Sequence, residues 1–259
     1  MRKPLISLIT PTLNDINSLK KLLKNIKKQT FKNFEHIIAD GGSTDGTVEY
    51  LKANKSVNKI ISSRDFNMYK GINKALDLCE GRIIGYINAD DQYNDHEYFK
   101  KIAYYFSKEK FDCIYSGYRV IDKENKREKI YVPLKFKRRY LITLGMPFCQ
   151  HSFFWNSKFK KKRFSLNYKI CSDFEFIGNI MLNSKKIVYL KSITSSFFKR
   201  KNSFGSKNHK KGLLETKKIK KLFLKKIKFN KCLFIMDRIC NYISNFQTTK
   251  NNIHILKYK

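Results

Sequence analysis

Arg82-Ile83-Ile84-Gly85-Tyr86-Ile87-Asn88-Ala89-Asp90-Asp91 is the stretch on which the reading of this chain turns. Residues 82–87 are apolar and β-branched enough for a buried strand, and two adjacent carboxylates follow where that strand breaks. Carboxylates in such a place are costly unless something cationic meets them. Two readings are open at this point. The pair can hold a divalent metal with phosphate beside it, at the carboxyl end of a strand. It can equally be a polar turn that caps a helix expected over residues 96–108.

Working upstream, residues 5–10 read as a buried strand broken by Pro11. Asn17 or Ser18 caps a helix to about residue 28, with Leu19, Leu22, Leu23 and Ile26 at helical spacing. A strand over 34–39 ends in Asp40-Gly41-Gly42-Ser43-Thr44-Asp45-Gly46-Thr47. A helix over 47–53, a strand over 59–62 and a helix over 68–78 lead to the acid pair. Strand and helix alternate at parallel-sheet spacing, so the first hundred residues predict a doubly wound α/β unit. Thr10-Pro11-Thr12, residues 40–46 and Asp90-Asp91 then lie at carboxyl ends of strands and converge on one edge, where such sheets bind ligands. Within the glycine-containing loop, Asp45 through Thr47 read as turn and cap residues, and Asp40, at the strand end itself, reads as functional.

Downstream the alternation fades. Strands are expected over 112–122 and 129–132, paired through the turn at 123–126, and over 187–190 and 193–198. Short helical segments are expected over 140–145 and 172–182, the latter with Asp173 and Glu175 in its first turn. A composition shift near Lys199 is the one boundary.

The chain has 259 residues, with 55 Lys and Arg against 21 Asp and Glu, a balance that at first suggests a nucleic-acid binder. The distribution argues otherwise: residues 1–95 carry 15 basic against 11 acidic side chains, residues 199–259 carry 18 against 2. Six cysteines show no C-x-x-C spacing and read as buried free thiols of a reducing compartment. Met1-Arg2-Lys3-Pro4 runs straight into a strand-like segment, and no apolar run is long enough to span a bilayer. The expectation is a cytoplasmic protein, with peripheral attachment to the inner face of a membrane left open.

Ser7-Leu8-Ile9-Thr10-Pro11-Thr12-Leu13-Asn14, Gln29-Thr30-Phe31-Lys32-Asn33-Phe34-Glu35-His36, residues 40–47 and Asn88-Ala89-Asp90-Asp91, in that order and spacing, resemble the family 2 glycosyltransferases. The resemblance implies the GT-A fold, a Rossmann-like α/β architecture with a mostly parallel central sheet and flanking helices, here followed by a basic helical C-terminal tail. It implies a GT-A catalytic domain over 1–205, with a nucleotide-sugar-binding half at 1–95 and an acceptor-side half at 96–205, and an extension over 206–259. It also implies transfer of a single sugar, with inversion, from a nucleotide-sugar donor, by default a UDP-sugar. The acceptor would be a hydroxyl of a cell-surface glycan or a lipid-linked molecule.

Carried over by that resemblance, Thr10, Pro11, Thr12 and Asp40 line the nucleotide pocket, Asp90 faces ribose or metal, and Asp91 is the principal ligand of Mg²⁺ or Mn²⁺. Such a cation neutralises the charge of a departing nucleoside diphosphate, and aspartate oxygens suit it. Residues 62–74 resemble a second family stretch, matched at Asp65, Tyr69, Asn73 and Lys74. Ser63 stands where an acid is usual, Lys70 where an aspartate is usual, and Asn67 where a glycine is usual, an exchange that a positive φ would tolerate. Asp173 resembles the general base, with Glu175 in reserve; the alternative is that both merely complement the helix dipole. His151, in Met146-Pro147-Phe148-Cys149-Gln150-His151, stands near donor diphosphate or acceptor, or is simply a satisfied buried histidine. Residues 200–206 resemble a loop that closes the family's catalytic domain.

In the tail, Ile219, Phe223 and Ile227 share a helical face with Leu213 and Leu224, opposite Lys217, Lys218, Lys221, Lys225 and Lys228. That helix either lies on anionic lipid or packs its apolar face on the catalytic domain. Two other functions were weighed against the glycosyltransferase. A nucleic-acid-binding protein using the basic C-terminal region lacks a recognisable module, and its acidic strand edge would repel phosphates. A nucleotidyltransferase would carry a glycine-rich loop with a basic residue after the first strand, which residues 10–17 lack.

Overall fold

The computed structural model describes residues 3–54, 57–65, 67–146, 148–201 and 203–227. Pro147, Lys228, Cys232 and Cys240, singled out in the sequence, lie outside the described residues. The first part of the chain runs β1 (Ile6–Thr12), α1 (Ile16–Lys27), β2 (Phe34–Asp40), α2 (Thr47–Ala53), β3 (Lys59–Ser62), α3 (Met68–Leu78) and β4 (Ile83–Tyr86). Next come β5 (Gln92–Tyr93), α4 (Tyr98–Glu109), the hairpin β6 (Cys113–Asp122) and β7 (Arg127–Tyr131), α5 (Tyr140–Thr143) and β8 (Phe153–Asn156). The described chain ends in α6 (Ser172–Leu182), β9 (Ile187–Lys199), α7 (Phe204–Lys207) and α8 (His209–Lys226).

One nine-stranded mixed sheet carries everything, in the order β3-β2-β1-β4-β8-β6-β9-β5, with β7 beside β6. The first four strands are all parallel, as the alternation requires. β8 is antiparallel to both β4 and β6, and joins the parallel part of the sheet to the rest. Each face is covered by helices. On one face, Ile72 and Leu76 of α3 and Phe176 and Ile177 of α6 pack with Ile9, Tyr86 and Trp155. On the other, Leu22 and Ile26 of α1 and Phe99, Ile102 and Phe106 of α4 pack with Leu8 and Phe154. Gly85 makes the β4–β8 seam possible, because a Cβ there would overlap the Phe154 ring of its cross-strand partner.

Several local expectations need correction. Pro11 does not break β1, which continues to Thr12. Ile9 offers its carbonyl to Ile87 on the β4 side and Thr12 offers its own to Gly41 on the β2 side. The missing N–H of Pro11 therefore falls on the β4 side, just past the last pair Ile9–Tyr86, where the β1–β4 ladder stops while the β2 side runs on to Thr12. The cap of α1 is Asp15, not Asn17 or Ser18: its carboxylate accepts the Ser18 N–H at 3.2 Å. The two short strands expected over 187–198 are one strand, β9, whose register against β6 slips between Leu190 and Ile193.

The α8 helix packs on the body. Ile219, Phe223 and Ile227 meet Leu141 and Ile142 of α5 and Phe174 of α6. A Cβ on Gly178 would overlap the Phe223 ring, so that glycine is the seat of the contact. Leu213 and Leu224, placed on the same face by the sequence, are 58% and 42% exposed instead. At 3.6 residues per turn they lie about 120° and 140° round the helix from Ile219. Among the described cysteines, Cys79 and Cys113 are buried and all four, with Cys149 and Cys171, are free thiols as expected.

Candidate active site

The carboxyl ends of β1, β2 and β4 meet along one edge, and each ends in a polar loop. At the end of β2, Asp40 is fully buried. Its carboxylate accepts the N–H groups of Gly42 and Ser43, both at 2.9 Å, and the hydroxyls of Ser43 (2.5 Å) and Ser62 (2.6 Å). That carboxylate shapes the loop, with Gly42 at φ +82° as the turn demands. Asp45 is a cap, as expected: it accepts the Ile16 N–H of α1 and the Thr47 N–H and hydroxyl of α2. Asn14, at φ +47°, ties the first loop to the second through Ser43 and Thr44.

The Thr10-Pro11-Thr12 segment is less open than its place suggests. The Thr10 hydroxyl lies 2.9 Å from His36 Nε2 in the interior, where burial pushes the imidazole down to about 3. Thr12 Oγ1 is buried without a partner. In the 62–74 stretch, Asp65 is exposed. Asn67 caps α3 through the Lys70 N–H with φ at −80°, so it preserves the turn as a cap and not through positive φ. Asn73 spends both ends of its amide on the backbone of Phe164, at 2.8 Å each, and clamps that loop instead of facing the strand ends.

The two acids after β4 have different surroundings. Asp90 is 26% exposed and lies 3.0 Å from Arg200, which follows β9 and also bonds Asp15 and Ser18 of α1 at 3.0 Å each. Burial, then the neighbouring Asp91 charge, raise Asp90 to about 6 against the pull of Arg200. Asp91 is wholly buried and faces His151 Nδ1 at 3.3 Å. Burial by itself would push that imidazole down, but Cys149 and Asp91 outweigh it and raise it to about 10, so His151 carries its proton at neutral pH. The histidine is thus held inside, against an acid.

Asp173 opens α6. Its two carboxylate oxygens lie 3.5 Å from the Tyr69 and Tyr86 hydroxyls, and burial raises it to about 6 against the hydrogen bonds it receives. Burial raises the Tyr86 phenol, and the charge of Asp173 beside it raises it further. Glu175 is turned away: two residues on is about 200° round a helix. Burial raises its pKa, and Lys226 of α8 pulls it back down.

Sequence reasoning missed Glu215 of α8, whose carboxylate accepts the backbone N–H groups of Lys169 (3.0 Å), Ile170 (2.9 Å) and Cys171 (3.0 Å). One signal was available: Glu215 is the only acid between Glu175 and Asp237. It also missed the bond from Tyr69 to the Ile170 carbonyl at 2.7 Å.

Among the described residues, no three His, Cys, Asp or Glu side chains converge into a protein-only metal cage. Buried oxygens without a hydrogen-bond partner do gather at the strand ends: Thr12 Oγ1, Asn88 Oδ1 and Asp91 Oδ1. Hard oxygen atoms beside an acid pair fit a Mg²⁺-like ion, which takes one or two carboxylates and completes its shell with phosphate and water.

Residues 7–164 match the model of "Glycosyl transferase family 2". The chain belongs to that family. Among curated proteins it is similar to a PGL/p-HBAD biosynthesis glycosyltransferase of Mycobacterium bovis, 32% identical over 120 residues, or 44% of this chain and 47% of that one. It is also similar to the putative teichuronic acid biosynthesis glycosyltransferase TuaG of Bacillus subtilis, 26% identical over 125 residues, 46% of this chain and 48% of that one. The chain thus spans about half the length of these relatives. In structure, the family 2 chain resembles S. aureus TarS 1-349 in complex with UDP-GlcNAc, at a TM-score of 0.69 and 20% identity, covering 88% of this chain and 69% of that one. At that identity the likeness shows the fold, GT-A.

Proposed function

We propose that this family 2 chain is a metal-dependent, inverting glycosyltransferase. It moves one sugar from a nucleotide-sugar, a UDP-sugar by preference, to a hydroxyl of a cell-surface glycan or lipid-linked acceptor. The observation that carries the reading is Asp173: a carboxyl raised to about 6, at a helix start and between two tyrosines, one of them on β4, the strand that leads to the acid pair. A group with that acidity is largely ionised at neutral pH yet still basic enough to accept a proton. Asp173 takes the proton of the acceptor hydroxyl as its oxygen attacks the anomeric carbon. The bond from that carbon to the diphosphate breaks on the opposite face, so configuration inverts.

Mg²⁺ or Mn²⁺, held by Asp90 and Asp91 with the donor's diphosphate, would neutralise the charge that develops on the leaving group. Asp91, whose Oδ1 is buried without a hydrogen-bond partner, is the principal ligand, and Asp90, the more open of the two, faces ribose or metal beside it. Thr12 and the loop that Asp40 shapes form the nucleoside side, while Thr10, Pro11 and Asn73 support it from within. Asp65, exposed before α3, is kept as a donor contact. His151 acts through Asp91, without touching the sugar.

The donor half is assigned to residues 1–95 and the acceptor half to 96–205. From the 206–259 extension, α8 lends its buried face to the acceptor half. Contact with an anionic membrane falls to the outer side of α8, where exposed Leu213 and Leu224 stand among Lys217 and Lys221. No described helix is long and apolar enough to cross a membrane. Nucleic acid has no place in this reading, because the candidate cleft is lined by Asp90, Asp91 and Asp173.

Calorimetry with UDP, GDP and other nucleoside diphosphates, each with and without Mn²⁺, tests the reading on wild type and Asp90→Asn. Metal-dependent binding of one nucleotide, weakened about a hundredfold in the variant, is expected. If no nucleotide binds under any metal condition, the proposal fails.

A further inference from the structure

The segment before α6 is gripped from two sides. Its N-cap residue, Cys171, makes no side-chain cap bond. Helices ordinarily obtain that acceptor locally, from a Ser, Thr, Asp or Asn at the cap. Here the segment just before the helix is held instead, by a carboxylate from a different helix more than forty residues downstream: Glu215 of α8 takes the N–H groups of residues 169, 170 and 171 at once. From the other side, Tyr69 of α3 donates to the carbonyl of Ile170, and the same hydroxyl lies 3.5 Å from Asp173 Oδ1. One residue, Ile170, therefore joins Glu215 to the tyrosine that faces the acid. Gly212 and Thr216 of α8 complete the clasp, with the Cys171 thiol 3.4 Å from the Gly212 carbonyl and from the Thr216 hydroxyl.

The Glu215 carboxylate is nearly buried. Burial works against its charge, but the three N–H bonds and Lys211 outweigh it and lower its pKa, so it is ionised at neutral pH. A carboxylate placed only to solubilise a lysine-rich helix would face water with the lysines. This one faces the backbone that leads into Asp173.

We infer that Glu215 is a positioning residue: from α8 it holds residues 169–171, and through them the first turn of α6, so that the Asp173 carboxyl stays between the Tyr69 and Tyr86 hydroxyls. The inference rests on reading Asp173 as the base, and it gives α8 a part in the chemistry that the match over residues 7–164 does not reach.

The test uses the full chain labelled with ¹³C-carboxyl aspartate, as wild type, Glu215→Gln, Glu215→Asp and Phe223→Ala, with Asp173→Asn to assign the signal. The groups facing Asp173 are Tyr69 from α3 and Tyr86 from β4, with Cys171 beside it on its own segment. Wild-type Asp173 should titrate near 6. In Glu215→Gln its midpoint should fall by about half a unit or more, because a freed loop admits water and a neighbouring negative charge is gone. Turnover should fall about tenfold, while UDP affinity with Mn²⁺ stays within about twofold. Glu215→Asp should recover part of both. An unchanged Asp173 titration in folded Glu215→Gln overturns the inference. So does an equal shift in Phe223→Ala, which removes the packing of α8 on Phe174 while leaving the Glu215 carboxylate in place. If Asp173→Asn leaves transfer intact, the base assignment fails, and the titration still decides whether Glu215 positions that carboxyl.

Discussion

Asp90 and Asp173 are both raised to about 6, yet they sit in opposite kinds of surroundings. The strand-end acids are matched by cations, Arg200 on Asp90 and protonated His151 on Asp91. The helix-start acid meets neutral donors, two phenol hydroxyls and the Phe174 N–H. A carboxylate with a cation beside it keeps its charge and is suited to exchange one cation for another. A carboxyl set among neutral groups is poised to gain and lose a proton. Under the proposed function, two acids of similar acidity thus suit two tasks: charge compensation at the strand ends and proton transfer at the helix.

The largest effect should come from removing the proton acceptor. Asp173→Asn is expected to lower kcat about a thousandfold and leave nucleoside diphosphate affinity unchanged within about twofold. In wild type, kcat/KM should rise as pH passes through about 6, and that limb should vanish in the variant. Equal losses of binding and turnover would break the division of tasks.

Next in size is the buried pair at the strand end. His151→Gln leaves the Asp91 charge without its partner and should destabilise the fold by about 3 kcal/mol, read from urea melts. The folded-state pKa of His151 is raised, so the pair's contribution is fully present below about 6.5 and is lost as pH rises through about 10. The wild-type melting temperature should therefore decline on the alkaline side, and the variant should lack that slope.

Arg200→Ala is a smaller change and sharpens the contrast. Without the guanidinium, the Asp90 carboxyl moves further up, so the pH midpoint of Mn²⁺-dependent nucleotide binding should shift upward. The smallest effect belongs to Glu175→Gln. That side chain points toward α8, and steady-state turnover should change less than about threefold. A loss as large as that of Asp173→Asn would move the base to Glu175.

Much of the fold was legible because neighbouring residues decide it. The bounds of α2, β3, α3 and α6 fall where periodicity and caps put them. The convergence of three strand ends follows from parallel alternation alone. What was misread has a shared cause. Pro11 looks like a strand breaker until it is known that β4 stops short of it. Residues 153–156 give no strong pattern by themselves, and become a strand because β4 and β6 leave a place between them. Leu213 and Leu224 look like part of an apolar face until the width of the seat on α5 and α6 is known.

By itself, then, the sequence determined the order of strands and helices, the location of the acids at their ends and the family to which the chain belongs. These depend on short-range pattern and on motif spacing. Only the tertiary structure decided what each acid faces: His151 for Asp91, Arg200 for Asp90, two tyrosines for Asp173, and the backbone before α6 for Glu215. Those partners lie up to 110 residues away along the chain, Asp90 from Arg200. The charge a carboxyl keeps is set by burial and by the groups packed against it, which no local pattern records.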